Sequence, residues 1–292
     1  MDPQTYDARV PNIDVSGHPT WFEPGSGTGP TALLLHGGLS NSDALLDSIG
    51  APLAARHRIA AFDRRGHGRT ADTPEPFHYE AMADETIAVL AHLETPAHLV
   101  GWSDGGITAL LVALRRPDLV DRLVLIGVNF HFSATLEMPT DDKASDDEAG
   151  ETGGDATDNE TGADPFFAQI VASYAERSPD GAAHFAEVAT KSFTLFASEP
   201  TLTTDDLGAV RAPTLVMVGD DDLIDLAHTC QLYESIPDAQ LAVVPGASHA
   251  LPMEKPAETA RIIEQFLADP VPPSTLMPVR RRRDPHASHR QS

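Results

Sequence analysis

Residues 97–116 contain the feature that most restricts how this chain can fold. The run reads as a short apolar strand, 98–101, followed by a tight turn and an apolar helix. Ser103 lies at the tip of the turn, in the pattern Gly101-x-Ser103-x-Gly105. Those five residues alone are weak evidence, but a strand before them and a helix after them are typical of a strained turn that lifts a serine hydroxyl above the edge of a sheet. The alternative is an ordinary strand-to-helix connection with an incidental serine.

Strands and helices alternate on both sides of this turn. Continuous apolar runs predict buried strands, and predicted helices lie between and after them, among them one over roughly 42–55 and a last one over 256–268. Such alternation predicts an α/β fold with a mostly parallel sheet and helices on both of its faces. The predicted strands are 31–35, 58–62, 98–101, 122–127, 214–218 and 241–244, and a first hairpin is expected at 8–15 and 18–23.

The alternation stops at Asn129 and resumes at Pro213, which predicts an insertion between two strands of one sheet. We therefore expect an α/β core from residues 1–129 and 208–268, and a helical cap from residues 130–207. Within the cap, residues 137–164 hold eleven acidic residues and one lysine with few large apolar groups, which predicts disorder. The tail, 269–292, carries four consecutive arginines and no apolar period, and is also predicted to be disordered.

The net charge of −24 restricts the partners of this chain. An acidic surface repels nucleic acid and anionic membranes, so a small molecule is the expected partner. No apolar run of 18 residues or secretory signal is visible, and the single cysteine, Cys230, excludes an internal disulfide, so a cytoplasmic enzyme is expected. Salt adaptation and a GC-rich coding sequence explain the acid excess equally well, and the oligomeric state stays open.

A serine needs a base to become a nucleophile near neutral pH, and a carboxylate must orient that base. His249 follows the last predicted strand, so it should emerge at the same carboxyl edge of the sheet as Ser103. Asp222 lies in the acidic turn after the strand 214–218, and Asp225 is the second choice for the acid. The resulting order along the chain is Ser, Asp, His, which is the order of the α/β-hydrolase triad.

An oxyanion hole needs two donors that point at the developing alkoxide. The backbone N–H of Asp104, directly after Ser103, is the first expected donor. The second should come from the loop His36-Gly37-Gly38-Leu39, from Gly38 or alternatively from Leu39. His36 itself is better placed on this side of the site than as the catalytic base.

These features together resemble the α/β-hydrolase superfamily of capped serine hydrolases. The matching motifs are the loops 36–38 and 63–68, the elbow at Ser103, the acid turn at Asp222 and the loop 246–249. The resemblance implies an α/β-hydrolase fold, and it needs neither a metal nor a cofactor. An aspartate nucleophile, as haloalkane dehalogenases and epoxide hydrolases require, is absent at position 103.

The run 101–110 is similar to that of valacyclovir-hydrolase-like esterases. In those enzymes the acid after the serine recognises the ammonium group of an amino-acid ester, which would give the side chain of Asp104 a binding role. The same run occurs in other capped hydrolases, and a buried aspartate can instead be structural, bonded to the backbone or to an arginine.

We expect a serine hydrolase that cleaves a small or medium carboxylic ester through an acyl-enzyme. Perhydrolase, haloperoxidase-like, acyl-transfer and carbon–carbon bond hydrolase activities would use the same triad, and a ligand-binding homologue without catalysis is a further alternative. Trp102, Phe130 and His131 are candidate substrate contacts because they lie beside the nucleophile or just past a strand. Several phenylalanines of the insertion, among them Phe132, Phe166, Phe167, Phe193 and Phe196, are candidates for an apolar acyl pocket or for the core of the cap.

Overall fold

A computed structural model describes residues 12–93, 95–135 and 165–268, together with Met277. The acidic segment 137–164 lies outside the described residues, and so does the tail 269–292 apart from Met277. The disorder predicted for both therefore stays a prediction.

The described residues form an eight-stranded sheet with the order β1-β2-β4-β3-β5-β6-β7-β8. The first two strands pair antiparallel, β2 pairs antiparallel with β4, and all other neighbours are parallel. The strands are β1 (Asn12–Val15), β2 (His18–Ser26), β3 (Thr31–Leu35), β4 (Arg58–Phe62), β5 (Ala97–Trp102), β6 (Val120–Ile126), β7 (Thr214–Asp221) and β8 (Ala239–Ser248). The predicted mostly parallel sheet is confirmed.

Helices connect the strands and cover both faces of the sheet. They are α1 (Asp43–Leu45), α2 (Ala51–Leu53), α3 (Tyr79–Leu93), α4 (Asp104–Arg115), α5 (Pro165–Arg177), α6 (Phe185–Phe196), α7 (Thr204–Leu207), α8 (Leu226–Ser235), α9 (Leu251–Glu254) and α10 (Pro256–Ala268). The single helix predicted over 42–55 consists of α1, a π-helical turn (Leu46–Gly50) and α2. None of the helices in the described ranges is long and apolar enough to cross a bilayer.

Each buried strand contributes side chains to two apolar cores, one on each face of the sheet. All five residues of β3 are buried. Because side chains alternate along a strand, Leu33 and Leu35 belong to the cluster beneath α3 and α4, whereas Leu34 packs in the cluster beneath α1 and α10. Burial on both faces explains why the strand reads as a continuous apolar run rather than as an alternating one.

The segment between β6 and β7 carries α5, α6 and α7. Helix α6 buries Val188 and Leu195 against the core, and its Lys191 ammonium contacts the buried Asp72 carboxylate at 2.7 Å. Helix α5 buries only Tyr174 among residues 166–177. It is joined to the core mainly by polar contacts, described below.

The strands β7 and β8 run further than their apolar residues predicted. The predicted ends were 218 and 244, whereas the strands end at Asp221 and Ser248, which face each other in the ladder. These last residues carry no large apolar side chain and pair through backbone hydrogen bonds, so hydrophobic periodicity could not detect them. This extension positions the site described next.

Candidate active site

Ser103 occupies a strained turn between β5 and α4. Its backbone has φ +53° and ψ −123°, a conformation that residues with a side chain rarely adopt. The neighbouring glycines allow the strand and helix to approach closely. A Cβ on Gly105 would lie 2.0 Å from the Leu35 carbonyl oxygen, and one on Gly101 would lie 2.4 Å from the Gly105 carbonyl oxygen.

A histidine and a carboxylate complete a hydrogen-bonded line that ends at this serine. The Ser103 Oγ lies 3.0 Å from Nε2 of His249, and Nδ1 of His249 lies 2.8 Å from Oδ1 of Asp222. A carboxylate accepts, so Nδ1 carries the proton, and Nε2 is left as the acceptor of the serine O–H. The Asp222 side chain is only 1% exposed, which keeps water from competing for this contact.

The register of β7 and β8 explains why the acid and the histidine meet. Asp221 and Ser248 face each other, so Asp222 and His249 are the next residues along two adjacent parallel strands. The other acids of this turn are used elsewhere. Oδ1 of Asp220 accepts the Gly246 N–H at 2.6 Å, and Asp225 caps α8 by accepting the Ala227 N–H at 3.0 Å.

Gly127 is part of the site, although no sequence argument singled it out. Strand β6 separates β5 from β7, so the His249 ring must pass over its end to reach Ser103. A Cβ on Gly127 would lie 3.0 Å from Nδ1 of His249 and 3.2 Å from Oδ2 of Asp222, and its φ is +59°. The sequence feature that could have indicated this role is a glycine at the end of a buried strand.

Trp102 contacts His249 through a hydrogen bond and through its ring. Its indole Nε1–H donates to the His249 carbonyl oxygen at 2.8 Å, and the two rings are 5.8 Å apart. Trp102 also forms part of a cavity wall, described below.

Three backbone N–H groups near Ser103 have no acceptor in the part of the chain that the structure describes. They belong to Gly38, Leu39 and Asp104. Leu39 has a φ of +54°, and Gly38 packs against the Asp104 side chain, where a Cβ would lie 2.4 Å from Oδ2. Free N–H groups on two converging loops are what an anion-binding pocket requires.

The side chain of Asp104 is buried among polar groups. Its Oδ1 accepts the Tyr79 hydroxyl at 2.9 Å, and the guanidinium of Arg64 contributes an opposite charge nearby. Burial raises the pKa of the Asp104 carboxyl, and Arg64 and Tyr79 oppose that shift only in part.

A cavity of about 780 Å³ opens between α5 and the core. The chain neighbours of the site residues, Trp102 and Ala250, form part of its wall, and apolar side chains such as Leu39, Ile170 and Met253 line much of the rest.

Acidic side chains also line this cavity, among them Asp43, Asp47 and Glu176. Asp43 joins α5 to the core, because its carboxylate contacts Arg177 Nε at 2.7 Å and also Arg69. Within residues 12–93, 95–135 and 165–268, no three histidine, cysteine or carboxylate side chains are arranged to hold a metal ion.

Phe130 and His131, two further candidate substrate contacts, pack against other residues. Phe130 is buried and stacks on His228 with ring centroids 3.9 Å apart. His131 lies close to Ser133, with Nδ1 2.9 Å from its Oγ, and stacks on Phe132. Neither Phe130 nor His131 belongs to the described lining of the cavity. Phe196 lies against the loop of Gly38, where a Cβ on that glycine would be 2.7 Å from its Cζ, and Phe166 lines the cavity.

Comparison with known proteins bears on this geometry. The sequence model described as the alpha/beta hydrolase family matches residues 32–262. “Putative carbamate hydrolase RutD” of Variovorax paradoxus (strain S110) is 32% identical over 257 residues, which cover 81% of this chain and 91% of that protein. “Non-heme haloperoxidase” of Rhodococcus erythropolis is 27% identical over 263 residues, covering 83% and 93%.

Among solved structures, a serine hydrolase involved in carbazole degradation (CarC enzyme) matches with a TM-score of 0.69. The identity is 20%, and the match covers 89% of this chain and 98% of that chain. At this identity the likeness concerns the fold alone.

Proposed function

The chain belongs to the alpha/beta hydrolase family, and from that premise we propose that it is a serine hydrolase which cleaves small or medium carboxylic esters through an acyl-enzyme. The observation that carries the proposal is the continuous line from Ser103 Oγ through His249 to Asp222, with contacts of 3.0 and 2.8 Å. Nucleophile, base and orienting acid are thus within hydrogen-bond reach of one another.

In the first half-reaction, Ser103 Oγ attacks the ester carbonyl carbon while its proton passes to Nε2 of His249. The Nδ1–H bond to Asp222 holds the imidazole in the correct tautomer and stabilises the imidazolium that forms. The alcohol leaves with the proton from Nε2, and the acyl group stays on Ser103. Water then attacks the acyl-enzyme with the same histidine as base, which releases the acid and restores the serine.

The tetrahedral intermediates place a negative charge on the former carbonyl oxygen. We assign the two donors to the N–H groups of Asp104 and Gly38, with Leu39 as the alternative to Gly38. Both N–H groups are free of acceptors among the described residues, so no existing hydrogen bond has to break when the oxyanion forms.

The cavity between α5 and the core is the proposed substrate pocket, with the segment 130–207 as a lid. Its volume of about 780 Å³ suits a small or medium ester. The apolar wall of Leu39, Ile170 and Met253 favours a neutral apolar group, and the acidic lining disfavours an anionic one.

Carbamates form a second candidate substrate class. The relative that is 32% identical over most of both chains carries the name “Putative carbamate hydrolase RutD”. A carbamate carbonyl can be attacked by the same serine, so the two classes differ in the leaving and acyl groups rather than in the machinery.

Labelling with a fluorophosphonate tests the nucleophile. We expect stoichiometric label on the native protein and none on Ser103→Ala, followed by turnover of a panel of matched esters and carbamates. Absence of label on the native protein, or equal label on Ser103→Ala, would overturn the proposal. If the enzyme turns over carbamates and not esters, its substrate class is carbamates.

Assays with added peroxide or alcohol distinguish hydrolysis from perhydrolase and acyltransferase activity, which would use the same acyl-enzyme. A relative at 27% identity is named as a non-heme haloperoxidase, which favours testing peroxide. We expect water to be the preferred acceptor. Faster turnover with peroxide or with an alcohol would identify a perhydrolase or an acyltransferase.

The side chain of Asp104 has a structural role in our proposal, because Tyr79 already donates to it and Arg64 balances its charge. A panel of esters with and without a free α-amino group tests this assignment in Asp104→Asn. Equal losses on both groups of esters support the structural role, whereas a loss confined to amino esters would show that Asp104 recognises the ammonium group.

A further inference from the structure

A fully buried arginine lies behind the loop that carries Gly38. Arg64 is 1% exposed, and its Nη2 donates to the Gly37 carbonyl oxygen at 3.0 Å. The Nε and Nη1 atoms of this guanidinium have no hydrogen-bond partner among the described residues. Burying a guanidinium without pairing all of its N–H groups lowers the stability of the fold, and an apolar side chain in the same space would avoid that loss.

A histidine approaches the same carbonyl. Nε2 of His36 accepts the backbone N–H of Arg64 at 3.1 Å, so Nδ1 carries the proton and donates to the Gly37 oxygen at 2.7 Å. Burial, together with the adjacent Arg64 charge, holds the pKa of His36 well below its usual value, so the ring stays neutral in this role.

The peptide group between Gly37 and Gly38 connects these donors to the proposed oxyanion hole. In a trans peptide the C=O and the N–H point in opposite directions, so donors behind the carbonyl leave the Gly38 N–H free on the other side. Donors on a carbonyl polarise the N–H of the same peptide, because linked hydrogen bonds strengthen one another.

We propose that Arg64 is a positioning residue that activates the oxyanion hole through the Gly37 carbonyl, assisted by His36. The inference rests on the proposed function, because it needs Gly38 to be an oxyanion donor. Arg64 has two effects in this position. It orients and polarises the Gly37–Gly38 peptide, and it places a positive charge behind the atom that binds the oxyanion.

The positive charge of Arg64 also offsets the negative charge of Asp104 beside the proposed oxyanion hole. The Asp104 carboxylate lies against Gly38, with Oδ2 2.4 Å from where a Cβ would be, and a negative charge there opposes an oxyanion. Among the charged groups near Asp104, Arg64 has the largest stabilising effect on its carboxylate. Removing the guanidinium would therefore leave an unbalanced carboxylate beside the developing negative charge.

The size of the effect follows from the hydrogen-bonded path. Adding the 3.0 Å contact to the width of a peptide and one further hydrogen bond places the Arg64 charge within about 8 Å of the oxyanion. At an effective dielectric constant of about 20, a charge at that distance changes transition-state binding by about thirtyfold. Because His36 still donates to Gly37, we expect a loss of about tenfold.

The test compares Arg64→Gln with the native enzyme on a carboxylic ester. We expect kcat to fall about tenfold while KM changes little, since the oxyanion exists only in the transition state and intermediates. The affinity for a trifluoromethyl ketone, which adds to Ser103 to form a charged hemiketal, should fall by the same factor. The affinity for the matching unreactive ether should not change.

Two variants serve as controls. Arg65→Gln removes a neighbouring arginine whose guanidinium binds the carbonyl oxygens of Glu75 and Pro76 instead, and it should keep the native kcat. Arg64→Lys keeps the charge and should retain most of the affinity for the ketone. If Arg64→Gln does not fold, Arg64→Lys is used for the test instead. If Arg64→Lys then loses affinity for the ketone and for the ether by the same factor, the proposal is contradicted.

Failure of the inference and failure of the proposed function give different results. If Arg64→Gln folds and keeps the native kcat and ketone affinity, the positioning role is wrong. Equal losses of ether and ketone affinity would mean that Arg64 only maintains the shape of the site. If the native enzyme takes no fluorophosphonate label, the proposed function itself has failed.

Discussion

Replacing Gly127 by alanine should slow catalysis in addition to lowering stability. The His249 ring passes over this residue on its way from β8 to Ser103. An alanine Cβ would lie 3.0 Å from Nδ1 and 3.1 Å from Cε1 of His249, and 3.2 Å from Oδ2 of Asp222. Contacts this short oblige the neighbours to yield by a few tenths of an ångström.

The two costs of this substitution can be separated. The φ of +59° is a left-handed conformation that costs a residue with a side chain roughly 1–2 kcal/mol. A displacement of about 1 Å in an active site typically costs about a hundredfold in rate, so a few tenths of an ångström should cost roughly tenfold in kcat.

Gly17→Ala is the matched control. Gly17 has a φ of +88°, and no atom lies within 4 Å of where an added Cβ would be, so alanine there has the backbone cost without touching the site. Urea unfolding and kcat should be measured on both variants. We expect similar losses of unfolding free energy and a lower kcat for Gly127→Ala alone. Native kcat in a folded Gly127→Ala would refute the idea that this glycine is needed for the position of His249.

Three further predictions concern the acid, one buried histidine and the inserted segment. Asp222→Asn should lower kcat by about 10⁴-fold, whereas Asp225→Asn, which keeps an oxygen that can cap α8, should not; the reverse would exchange their roles. Burial lowers the pKa of His98 to about 4, so the unfolded chain binds a proton first as pH falls. The contribution of His98 to the free energy of unfolding should therefore decrease between pH 6.5 and about 4, by at most about 1.4 kcal/mol per pH unit, and His98→Asn should reduce the slope measured in urea titrations by that contribution. Lys191→Met leaves the buried Asp72 carboxylate without its ammonium partner and should cost about 3 kcal/mol in chemical denaturation; a loss below about 0.5 kcal/mol would contradict a stabilising role.

Local patterns in the sequence were sufficient for most of the fold. Strand β3 was predicted with its observed bounds because all five of its residues are apolar or small and buried on both faces. Helix α10 was also predicted with its observed bounds, from Pro256 to Ala268. The ends of β7 and β8 were missed because their last residues carry no large apolar side chain, and the ladder between the two strands keeps them extended.

The site was predictable in its chain order and less so in its surroundings. A serine elbow, an acidic turn and a histidine loop, each after a parallel strand, must meet at one edge of the sheet. The positions of Phe130 and His131 could not be inferred in the same way. Whether a side chain after a strand turns toward the site or the core depends on packing partners such as His228, which lies far away in the chain.

Local sequence patterns indicate the α/β alternation, the strained turn at Ser103 and the order of the catalytic candidates along the chain. These depend on periodicity and on glycine positions, which act over a few residues. Three relations are visible in the folded protein and not in these patterns: Asp222 lies against His249, Gly127 leaves room for the His249 ring, and Arg64 lies behind Gly37. Those relations join residues from different strands and loops, and they arise from strand order, register and the exclusion of overlapping atoms, which no local pattern encodes.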